Sequence, residues 1–234
     1  MLAPSFARFV PPSIVAIVAV LVLLVIAVPA LGALVAARMR NVEQTPQRKR
    51  ARYARTMLVL WTMTALAYYA LYLHGETPAD VGLTAAPNLI WYLAGILTVF
   101  ALLAMSGAGR GDVSAAYAER IKAVVPESAS DWFWFVPVAA TAALCEEFLY
   151  RGYALTQIAA LTGSVSVGAV VSSIAFGLGH AYQGRIGMLG TALTGLLYAG
   201  LFIYSGSLLP CMLAHFLQDI IGASLLSPRL RAMR

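Results

Sequence analysis

The stretch Cys145-Glu146-Glu147-Phe148-Leu149-Tyr150-Arg151 lies inside a run, Trp132 to Ile158, that is otherwise almost wholly apolar. Two adjacent carboxylates and an arginine four residues on are costly in such a helix. A charge at the centre of a bilayer span costs roughly 2.5–3.5 kcal/mol on insertion scales. Groups of this kind are therefore rare unless they face a protein interior and perform a task there.

The surrounding composition fixes the solvent. Of 234 residues, 61% are hydrophobic and 11% charged, against about 25% charged in a typical soluble domain. The chain reads as an all-α, polytopic transmembrane helical bundle of about seven spans. The net charge of +6 resides between apolar runs, where it marks topology and anionic headgroups rather than nucleic acid. Cys145 and Cys211 both fall in apolar runs and read as buried thiols, not as a disulfide or metal pair.

In chain order the expected spans are 12–37, 56–73, 89–106, 132–158, 164–181, 187–204 and 208–226. The first is too long for a signal-peptide core and reads as a retained span. A basic loop after it holds Arg38, Arg40, Arg48, Lys49, Arg50, Arg52 and Arg55 against Glu43 alone. The positive-inside rule makes that loop cytoplasmic, which puts the N-terminus outside and the C-terminus in the cytoplasm. Arg8 is the exception. The loop 74–88, with His74, Glu76 and Asp80 and no lysine or arginine, suits the outer side. Gly107-Ala108-Gly109-Arg110-Gly111 follows a span rather than a strand, so it reads as an exit turn and not a phosphate loop.

Residues 113–125 set Tyr117, Ile121, Val124 and Val125 at helical spacing. They suit a short helix on the inner membrane surface or an amphipathic connector, ended by Pro126. Asp131 is the expected cap of the fourth span. Small residues at four-residue spacing, Ser164, Gly168 and Ser172, then Thr191, Gly195 and Ala199, predict close approach of the later spans. The chain thus divides into a three-span region, 1–125, and a four-span core, 126–234.

Within the spans the ionisable groups are Glu146, Glu147, Arg151, His180, His215 and Asp219. All fall in spans four, five and seven. Glu147 and Arg151 stand at i, i+4 and can pair along one face. Glu146 points about 100° away and is the freer carboxylate. His215 and Asp219 also stand at i, i+4. An ion-pair network that only holds helices together is the plain alternative. Two histidines and three acids on neighbouring helices suit water activation, metal binding or a proton relay.

Three motifs over roughly residues 126–226 resemble the CAAX protease and bacteriocin-processing family of intramembrane endopeptidases. They are Glu146-Glu147-x-x-x-Arg151, Phe176-x-x-x-His180 and His215-x-x-x-Asp219. The resemblance implies hydrolysis of a peptide bond within a membrane cavity open to the cytoplasm. It implies that Glu146 activates water with His180, and that His215 and Asp219 line the oxyanion pocket. Glu147 and Arg151 would support Glu146, and Phe176 would shape the cavity wall. The family pattern ends in asparagine or aspartate; an ionised Asp219 would repel an oxyanion, so it must be protonated or act by orienting His215.

No cofactor is favoured, although zinc or another divalent metal on Glu146, His180 and His215 is the competing arrangement. The expected partners are a membrane-associated or prenylated peptide or protein substrate and the lipid bilayer, with no nucleic acid. A bacterial inner membrane is the expected location. Two other classes compete: a transporter or proton-relay protein, and a non-catalytic membrane scaffold. The lack of polar groups in the first three spans and of any repeated Glu-Glu-Arg half counts against the transporter.

Overall fold

A computed structural model describes residues 12–39, 45–106 and 115–232. Arg8, Arg40, Glu43 and the Gly107–Gly111 turn lie outside the described residues. The described residues form helices and the turns and loops between them, without strands.

The first rod joins α1 (Pro12–Val22), a π-helical stretch (Leu23–Ala27) and α2 (Val28–Met39). After it come α3 (Pro46–His74), α4 (Ile90–Met105) and the short α5 (Ala115–Ile121). The fourth long rod is α6 (Ala129–Glu147), a second π-helical stretch (Phe148–Leu155) and α7 (Thr156–Thr162). Then follow α8 (Val165–Gly179), a 3-10 turn (Ala181–Gln183), α9 (Gly184–Ser205) and α10 (Leu209–Ala232). Among the described residues, five stretches are long and apolar enough to cross a membrane: Pro12–Leu34, Pro46–His74, Ala129–Thr162, Ala181–Ser205 and Leu209–Ala232. The helices α4 and α8 are apolar but shorter.

Local chemistry sets these boundaries. Thr45 caps α3 by accepting from the Arg48 amide at 3.3 Å, and Pro46 occupies the first turn, where its missing N–H costs nothing. The basic stretch from Arg48 to Arg55, expected as loop, is therefore the opening of α3. It is helical because its charges find partners. Lys49 is buried, donating to the Val125 carbonyl at 2.8 Å and lying 3.1 Å from Glu127 and 3.5 Å from Asp131. Arg52 donates to the Ala123 carbonyl, and Tyr53 to that of Val124.

The cap of α6 also differs from expectation. Ser128 is the cap, accepting from the Asp131 amide at 3.1 Å, while Asp131 reaches back to the Glu127 amide at 3.2 Å. Asp131 thus satisfies, from the first turn, the amide of the residue that precedes the cap. Tyr117, Ile121, Val124 and Val125 pack against Leu226 and Leu230 of α10. The apolar face of this connector thus packs against the last helix.

Gly163, with φ of +69°, ends α7 in a left-handed turn, and Ser164 then caps α8. The small residues of α8 allow the expected close packing. A Cβ at Gly177 would lie 2.6 Å from the Met188 carbonyl and 2.7 Å from Ala192 Cβ on α9. One at Gly168 would lie 2.4 Å from the Leu155 carbonyl. The first rod also seals this region: a Cβ at Gly32 would meet the Gly179 carbonyl at 3.0 Å. One apolar core, including Leu24, Leu71, Val81, Leu149, Phe176, Tyr198 and Leu208, therefore runs from the first rod through α10.

Candidate active site

The Glu146-Glu147 pair closes α6, and the next eight residues, through Leu155, widen into a π-helix. An uninterrupted α-helix is what the sequence suggests, so the widening is a finding of the fold. Such turns recur at functional sites, because they re-aim side chains within a helix. Gly152 in this stretch leaves room for the 75–89 loop: a Cβ there would stand 3.1 Å from the Val81 carbonyl.

Glu147 is fully buried. Its Oε1 accepts from Arg151 Nη1 at 3.0 Å and from His215 Nδ1 at 2.7 Å. The expected pair with Arg151 is present, and a histidine 68 residues away joins it. This contact leaves His215 with Nε2 as its other ring nitrogen. Nε2 lies 3.8 Å from Glu146 Oε2 and 3.8 Å from Asp219 Oδ2. The hydrogen bond that orients the His215 ring therefore comes from Glu147, rather than from Asp219.

Arg151 is 1% exposed, with its guanidinium 4.3 Å from the Phe176 ring centroid and 5.8 Å from that of Tyr198. Gly195 makes room for it, since a Cβ there would approach Arg151 Nη2 to 3.3 Å. Phe176 also meets His180 edge-on at 4.7 Å and His215 at 6.2 Å. His180 ends α8, where its Nδ1 donates to the Phe176 carbonyl at 2.8 Å. One aromatic ring thus spaces the arginine and both histidines.

A cavity of about 70 Å³ opens among α8, α9 and α10, and liquid water occupies about 30 Å³ per molecule. His180, His215, Asp219 and Phe176 line it, together with Gln183, Thr191, Thr194, Tyr198 and Gln218. Of the residues singled out in the sequence, Glu146, Glu147 and Arg151 are not among those that line it. Glu146 stands beside His215, with no hydrogen bond or ion pair to His180 among the described residues. The neutral polar lining from Gln183 to Gln218 escaped the sequence reading. Its one sequence signal is polar residues placed on the inward side of two apolar spans.

Among the described residues, no group of three His, Cys, Asp or Glu is arranged to hold a metal ion. His215 Nδ1 and His180 Nδ1 both bond protein oxygens, which leaves Nε2 as the other nitrogen of each ring. The two cysteines are free and buried, as their apolar surroundings suggest.

No curated protein and no solved structure matches the chain. A family model does match residues 128–221, that of the Type II CAAX prenyl endopeptidase Rce1-like family. This segment contains Glu146, Glu147, Arg151, Phe176, His180, His215 and Asp219. By this match and the three motifs, the segment that carries the site is similar to the Rce1-like group of CAAX proteases.

Proposed function

We propose that the chain is a glutamate-type intramembrane endopeptidase that cleaves a membrane-associated or prenylated peptide. The observation that carries this reading is the division of labour between neighbouring carboxylates. Glu147 is buried and engaged by both Arg151 and His215, whereas Glu146 keeps a carboxylate 3.8 Å from His215 Nε2. Glu146 is thus the carboxylate free to take a proton.

In the proposed reaction, Glu146 and His180 hold a water molecule. Glu146 accepts a proton as the water oxygen bonds to the scissile carbonyl carbon. The carbonyl π pair moves onto oxygen, and the resulting oxyanion lies beside His215 Nε2 and Asp219. Collapse of the intermediate breaks the C–N bond, and Glu146 returns its proton to the departing amine. Asp219 contributes in its protonated form, since its charged form would oppose the oxyanion. Glu147 and Arg151 fix His215 and the helix beneath Glu146.

The proposed topology has seven spans, an outside N-terminus and a cytoplasmic C-terminus, in a bacterial inner membrane. The alternation of basic and acidic loops supports it. A decisive assay follows cleavage of a farnesylated, internally quenched peptide by purified wild type and by Glu146→Ala and His180→Ala. Loss of cleavage in both folded variants is expected. Equal cleavage by all three proteins would sink the assignment.

A further inference from the structure

Gln218 immediately precedes Asp219 on α10, and both line the cavity that holds His180 and His215. Its Oε1 accepts a 2.6 Å hydrogen bond from the Tyr198 hydroxyl. Tyr198 is well fixed: it is 1% exposed, its ring centroid is 6.3 Å from that of His215, and the Arg151 guanidinium lies 5.8 Å away. A carboxamide bears one acceptor oxygen and two N–H donors. With its oxygen held by Tyr198, Gln218 presents Nε2, which has no hydrogen-bond partner among the described residues.

A tetrahedral intermediate is stabilised by donors already aimed at the developing charge. Asp219 cannot supply one when ionised. A neutral amide, pre-oriented by a buried tyrosine one helix away, can do so in any protonation state of its neighbours. We propose that Gln218 is a catalytic residue of the endopeptidase reaction, donating from Nε2 to the scissile carbonyl oxygen as it becomes an oxyanion. Tyr198 is its positioning residue. The amide donates a hydrogen bond without transferring its proton, so the rest of the reaction is unchanged. This inference rests on the endopeptidase reading above.

The test uses the full chain purified in detergent and a farnesylated, internally quenched peptide, with Glu146→Ala as the reference. Gln218→Met keeps side-chain length without a donor, and kcat should fall about 10²- to 10³-fold with little change in KM. Gln218→Glu still accepts from Tyr198 but turns an acceptor toward the oxyanion, and should lose at least as much. It carries the test if the methionine variant does not fold. Tyr198→Phe should lower kcat less, and should add nothing to Gln218→Met in the double variant, because it acts through Gln218. Near-wild-type kcat in a folded Gln218 variant, with Glu146→Ala inactive, overturns this inference and leaves the endopeptidase reading standing. Wild type that cannot cleave the peptide, or cleavage independent of Glu146, removes both.

Discussion

His215 Nδ1 stands 2.7 Å from Glu147 Oε1, joining the last helix to the carboxylate of the fourth rod that also holds Arg151. The contact turns a local i, i+4 pair into an interhelical one. It also fixes which imidazole nitrogen remains for chemistry.

The two glutamates should therefore fail differently. Glu146→Gln removes the proposed base and should lower kcat by about 10²–10⁴-fold while the fold is retained. Glu147→Gln keeps its shape but loses the charge that orients His215. Its kcat should fall roughly 10–100-fold, the range typical of residues that orient a reactive imidazole from behind. Steady-state kinetics on the farnesylated peptide measure both, and a larger loss for Glu147→Gln than for Glu146→Gln would reverse the roles.

Arg151→Met should act on stability first. It leaves the Glu147 carboxylate buried without its guanidinium partner, a change that costs about 3–5 kcal/mol where one member of a buried ion pair is removed. Thermal unfolding in detergent, followed by tryptophan fluorescence, should show a clear drop in Tm. An unchanged Tm would mean that the pair contributes nothing net.

Gly177 and Gly190 form a matched comparison. A methyl group at Gly177 runs into the α9 backbone at 2.6 Å, while one at Gly190 has nothing within 4 Å. Gly177→Ala should destabilise the protein by about 1–3 kcal/mol as α8 and α9 part, and should disturb the neighbouring Phe176. Gly190→Ala should leave Tm and cleavage unchanged. Equal behaviour of the two variants would contradict the close packing.

Topology can be read by labelling. Both native cysteines are buried, so intact membranes should take up an impermeant maleimide only at introduced sites. Thr77→Cys should label from outside, whereas Glu119→Cys should label only after the membrane is opened. The reverse pattern would invert the proposed orientation.

Metal removal gives a separate check. Treatment of the wild type with EDTA or 1,10-phenanthroline should leave peptide cleavage intact, as the proposed glutamate mechanism requires. Loss of activity restored by added zinc would assign the donor set to a metal instead.

What the sequence determined by itself is what short-range chemistry controls. Apolar runs demanded helices, since backbone polar groups must be satisfied internally where water is absent. Glu147 and Arg151 were readable as partners, because i, i+4 neighbours meet on any helix. The three motifs likewise singled out His180, His215 and Asp219. Tertiary structure alone decided the contacts between distant segments. Nothing in the spacing says that His215 reaches Glu147, that Tyr198 holds Gln218, or that Lys49 is buried against Glu127 and Asp131. The π-helical widening after Glu147 was equally invisible. These features depend on how closely the rods approach and at what rotation, which small residues such as Gly177 and Gly195 permit but do not dictate. The charged residues were thus visible in the sequence, while the neutral wall facing them took shape only when α9 and α10 closed the cavity beside α8.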